Sequence, residues 1–252
     1  MNCVALLAVS ASVAACASAQ VAPICIDWSV DGDGAALVNG QQLTDSAGSV
    51  FSFGSLFTME TFGNNLGATI FDTSDPGPNV GGPDEDLLVN RGNGIMLQNN
   101  SSPTQTVPGI FDVPNDAVGG GAGYEITFTE NVEIVGIDLL DINGGNDVDI
   151  VLTDGMGLTR TFEVPADWTG DPQDGFVGWA TLDLASLAPQ LGGGIGGASN
   201  AFEDAGFDFF NVASMTIDFA GSGGWNNLKF VPTPGTVAML GMGGLVAMRR
   251  RR

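Results

Sequence analysis

Histidine is absent from this chain, tyrosine occurs once, and lysine and arginine together number seven. Without imidazole there is no Ser-His-Asp or Cys-His nucleophile and no histidine metal site. Any catalysis would have to rest on carboxylates. Cysteine is nearly as scarce, with Cys3 and Cys16 in an N-terminal segment read below as a leader and Cys25 alone after it. The exported body therefore cannot close an intramolecular disulfide, although an oxidising destination would permit one. Four of the basic residues are Arg249 to Arg252, so the rest of the chain sets Arg91, Arg160 and Lys229 against 29 acidic residues, a net charge of −26. That field excludes nucleic acid as a partner and disfavours anionic lipid surfaces.

What is present begins with two unusual ends. Val4 to Ala15 is an apolar run, followed by Ala17-Ser18-Ala19, the small-x-small pattern that signal peptidase reads. Residues 1–19 are thus expected to be a signal peptide cut between Ala19 and Gln20. The usual basic n-region is missing, and Val13-Ala14-Ala15-Cys16 offers a second reading as a lipobox with Cys16 acylated. At the other end Gly235 to Met248 is apolar and Arg249, Arg250, Arg251 and Arg252 finish the chain. Counted from Phe230 the apolar stretch is 19 residues long, interrupted by Pro232 and Pro234. That is marginal for a bilayer core, which needs about 20 apolar residues. The arginines should stop translocation and stay on the cytoplasmic side of a short transmembrane helix, with the body facing outward.

About 210 residues lie between these ends, enough for one domain with a substantial core. Short stretches of period-two alternation separated by Gly, Asp, Asn and Pro clusters predict strands. Tyr124, Ile126 and Phe128 oppose Glu125, Thr127 and Thr129, and Val132 to Leu140 begins the next strand. Val148 to Leu152 and Leu158 to Val164 flank Asp154-Gly155-Met156-Gly157, a hairpin turn. Further strands are expected at Ile24 to Val30, Val50 to Phe57, Thr69 to Asp72, Gly94 to Gln98, Val177 to Leu184, Ser214 to Phe219 and Leu228 to Val231. Residues 72–86 and the glycine run 192–197 read as irregular loops. The fold class expected is all-β, an antiparallel β-sandwich of jelly-roll-like form over residues 20–230, with residues 231–252 as a tail.

Val231-Pro232-Thr233-Pro234-Gly235, the short Gly/Ala/Leu/Met segment and the arginine run resemble the PEP-CTERM sorting signal of bacterial surface and matrix proteins. Thr233 stands where that motif usually carries glutamate. The resemblance implies removal of the tail by an exosortase-type membrane protease. The body also resembles β-sandwich domains that precede such tails, through Ile70-Phe71-Asp72-Thr73, Gly94 to Asn99, Pro114-Asn115-Asp116, Tyr124 to Phe128, Ile137 to Ile142 and Gly221 to Phe230. Trp225-Asn226-Asn227 departs from the Ile-Asp-Asn common there. What this implies is a surface or matrix location, with no activity assignable to named residues.

The acids are 22 Asp and 7 Glu, and aspartate serves both turns and oxygen cages. Asp31-Gly32-Asp33-Gly34 begins like a calcium loop but lacks the later ligands of an EF-hand. Residues 141–149 hold five oxygen-bearing side chains, and Asp141, Asn143, Asp147 and Asp149 are the candidate calcium ligands, with Asp147 and Asp149 on one face. The plainer reading of both segments is solvated turns. Trp168, in a loop-like setting beside Asp167, is the candidate for stacking on a sugar, against burial as the ordinary fate of tryptophan. The function expected is a non-catalytic structural or binding protein of the cell surface or extracellular matrix, which extracellular polysaccharide would suit as a partner. A carbohydrate-binding module is the alternative and a carboxylate-pair glycoside hydrolase the third reading.

Overall fold

A computed structural model describes residues 22–45, 48–116, 120–143, 147–194 and 198–233. Residues 1–21 with Ala17 and Ala19, and residues 234–252 with Pro234 and Arg249 to Arg252, lie outside the described residues. No helix among the described residues is long and apolar enough to cross a membrane.

The architecture is all-β and antiparallel, as the alternation requires. In chain order the strands are β1 (Ile24–Ile26), β2 (Phe51–Phe53), β3 (Phe57–Phe62), β4 (Ala68–Asp72), β5 (Asn93–Leu97), β6 (Ala122–Leu140), β7 (Val148–Asp154), β8 (Thr159–Val164), β9 (Trp179–Asp183), β10 (Gln190–Leu191), β11 (Ala198–Glu203), β12 (Val212–Phe219) and β13 (Gly224–Pro232). Among the described residues helix is confined to three short 3₁₀ turns, of which Glu85–Leu87 and Pro172–Asp174 matter below.

The organising element is β6, 19 residues long. Its first half lies between β3 and β12, in a ladder that continues through β7, β8 and β11 to β10. Its second half lies between β9 and β13, and β13 carries β1 and β5, with β4 beyond β5. Inward residues of the two ladders meet in an aromatic core. Trp225 packs edge-on against Trp28 at 5.1 Å and against Tyr124 at 5.7 Å, and Phe230 sits 5.3 Å from Phe128. Such tilted and T-shaped contacts suit the ring quadrupole and add to area burial.

Several expectations are corrected. Val50 to Phe57 is not one strand but a hairpin, β2 and β3, because the chain turns at Gly54 against Gly32, where a Cβ would collide with the Gly54 backbone. The polar Glu130-Asn131 pair does not divide β6, since Glu130 simply faces solvent. Ala198–Glu203 adds a strand where none was expected. The last strand ends one residue beyond the expected Val231: Val231 and Pro232 pair with Glu133 and Val132, and Thr233 donates from its N–H (3.1 Å) and hydroxyl (2.6 Å) to the Asn131 carbonyl.

Candidate functional site

The carboxylates fall into an exposed group on the first ladder and a buried group at the end of β6. Exposed acids face each other directly across strands. Asp149 is opposite Glu163 on one side and Asp218 on the other, and Glu60 is opposite Glu125. Asp147, Asp149 and Asp218, with Gly120, Gly121 and Ala220, line a shallow cavity of about 160 Å³. Burial and then the charge on Glu163 push Asp149 up, and burial and then Asp147 push Asp218 up. Asp147 and Asp149 do share a face. Asp218 completes the group, and it was legible from the alternation of Met215, Ile217 and Phe219 inward.

Asp141 and Asn143, the other two candidate ligands, belong elsewhere. Asp141 ends β6 in a left-handed conformation (φ 57°), donates its N–H to the Gly178 carbonyl at 2.8 Å and is buried. Its Oδ1 accepts from the Asn143 amide, while its Oδ2, equally buried, has no partner. The charges acting on it are Asp86, Asp171 and Asp84, none of them from the exposed group. Two further buried acids extend this set. Asp84 Oδ2 accepts from the Asp116 N–H at 2.8 Å, and Asp116 Oδ2 accepts from the Gly223 N–H at 2.7 Å. Desolvation pushes Asp141 up to about 8 and Asp84 up to about 6. Asp116 is raised well above the usual carboxylate range by burial and then by the charges of Asp84 and Asp141. Neither Asp84 nor Asp116 was singled out from sequence: they lie in separate loops and no local spacing marks their meeting.

Among the described residues no three acidic or thiol side chains converge closely enough to hold a metal ion. Asp31-Gly32-Asp33-Gly34 closes a turn, with Asp31 Oδ1 accepting from the N–H groups of Asp33 (2.9 Å) and Ala35 (2.8 Å).

Trp168 is not at the surface. It is fully buried, its indole N–H donates to the Gln190 carbonyl at 3.2 Å, and its carbonyl accepts from the Gly194 N–H at 3.0 Å. Gly192 is the physical reason: a Cβ there would collide with the Trp168 carbonyl and ring, so its backbone lies directly on the indole. Trp28 and Trp225 are buried too, and the Arg91 guanidinium covers Trp179 at 3.8 Å. A second cavity, of about 190 Å³, is lined mainly by Pro, Gly and Val with Asp84 and Asp112. Both oxygens of Asp112 are engaged by Thr106, at 2.9 Å from its N–H and 2.8 Å from its hydroxyl.

No protein-family model matches this chain, and neither does any curated protein.

Proposed function

We propose that this is an exported, non-catalytic structural or binding protein of the cell surface or extracellular matrix. Its body is a jelly-roll-like β-sandwich whose two layers are the ladders joined through β6. A PEP-CTERM-like tail anchors it transiently until an exosortase-type membrane protease removes the tail. The observation that carries this reading is the handover at Thr233: the last strand takes in Pro232, Thr233 is tied to Asn131, and the apolar and arginine-rich segment follows at once. Two of the three basic residues in the body are engaged internally, Arg91 with Asp138 and Arg160 with Glu203, so the outer strand faces are left to carboxylates. Such a surface suits a hydrated, repulsive matrix component.

Intact-mass analysis of protein exported by its native host is expected to give a chain starting at Gln20 and lacking Arg249 to Arg252. Retention of all four arginines on exported protein would overturn the sorting-signal reading.

A polysaccharide partner would not dock on Trp28, Trp168, Trp225 or Tyr124, which are core residues. Calcium enters this reading at the Asp147, Asp149 and Asp218 face, shared between those carboxylates and the oxygens of an acidic polymer. The hydrolase reading needs two free acids across a cleft. In the Asp84 cavity the second acid, Asp112, is held by Thr106.

A further inference from the structure

The crossover 73–92 between β4 and β5 is anchored towards both ends, where Asn79 exchanges amide hydrogen bonds with Asn39 and Arg91 pairs with Asp138 and lies over Trp179. Leu87 is buried against Phe71, Met96 and Leu140, and Asn90 donates its N–H to the Thr73 carbonyl at 2.8 Å. Midway along it Asp84 receives the Asp116 N–H, which joins the crossover to the segment leading into β6. The groups around this junction are acidic from every side. Asp84 and Asp86 come from the crossover, Asp116 from the segment before β6, Asp141 from the end of β6 and Asp171 from the cap of the 172–174 turn. Asp112 lines the same cavity as Asp84, Glu85 acts on Asp86, and Tyr124 of β6 feels Asp116. No cation stands among the leading charges on Asp84, Asp116 or Asp141. The unpartnered Asp141 Oδ2 leaves a buried oxygen that a proton would neutralise.

We propose that Asp84, Asp116 and Asp141 form a proton-held latch that keeps the middle of the crossover, residues 80–88, closed while the set is neutral and releases it when the set ionises. Two or three buried negative charges without a counter-cation are too costly to hold together, and the cheapest relief is to move that middle stretch, which brings water to Asp84 and Asp116. The sign follows from the direction of the shifts. Acids whose folded pKa is raised contribute stability that is complete below the ordinary carboxylate value and is lost as pH rises through about 6 for Asp84 and about 8 for Asp141. Asp116, raised by the same burial, acts in the same direction. The chain has no histidine, so no imidazole titrates in that window.

The test is hydrogen exchange of the full chain at pH 5 and pH 9, corrected for intrinsic rates. Amides of Leu87 and Leu88 should lose at least about tenfold of their protection at pH 9, while those of β7 and β12 hold theirs. Asp84→Asn with Asp141→Asn should remove the pH dependence. In the wild type, so that the answer does not depend on the variant folding, carboxyl-carbon resonances of Asp84 and Asp141 should titrate well above those of exposed aspartates. Unchanged crossover protection between the two pH values, or ordinary titration of both carboxyls, overturns the latch. So does recovery of protection at pH 9 in millimolar calcium but not in sodium chloride of matched ionic strength, which would make the group a cation site.

Discussion

Asp138 and Asp141 stand three residues apart at the end of β6, both buried, and their surroundings drive them in opposite directions. Burial alone would raise Asp138, but hydrogen bonds from Thr181 (2.5 Å), Arg91 and Asn227 (2.7 Å) outweigh it and hold the carboxyl below its usual range. Asp141 receives one amide, from Asn143, and is surrounded by Asp86, Asp171 and Asp84. The lesson is that burial sets the size of the electrostatic problem and the partners decide its sign. Placing one of three available cations at Asp138 leaves Asp141 to a proton.

The comparison breaks most visibly if Arg91 is removed. Arg91→Met keeps the stem over Trp179 but strands the Asp138 charge, and chemical denaturation at pH 7 should show a loss of about 3 kcal/mol. Asp138 has a lowered folded pKa, so the contribution of its pair is present above the ordinary carboxylate value and is lost on acidification. The penalty of the substitution should therefore shrink as pH falls. An equal penalty at pH 7 and pH 4 would mean that Arg91 acts only by packing.

A smaller effect is expected where the acids are exposed. Asp218→Asn removes a like charge directly opposite Asp149, and should stabilise by about 0.5 kcal/mol at low salt, less at high salt. Destabilisation there would show that Asp218 has a partner its position does not reveal.

Local pattern accounts for what was legible. Strands β7 and β8, the first half of β6 and the end of β12 alternate because one face of each is buried, and the Asp154 to Gly157 turn closes as its sequence requires, Gly157 N–H to the Asp154 carbonyl at 3.0 Å. Asp147 and Asp149 fell on one face for the same reason. The failures lie where backbone approaches backbone. Gly32 against Gly54 splits an apparent strand, and Gly192 on Trp168 turns a loop tryptophan into core. The buried acids were invisible because Asp84, Asp116 and Asp141 are brought together by tertiary contacts, and an aspartate in a loop reads as a solvated turn until its neighbours are known.

The most direct test is the thermal midpoint from pH 5 to pH 8.5, for the wild type and Asp141→Asn. Exposed carboxylates are already ionised across this range, so the slope reports the raised acids. The midpoint of the wild type should fall by more than about 5 °C with rising pH, and that of Asp141→Asn by distinctly less. A flat wild-type profile, or a variant that keeps the full slope, would contradict the account.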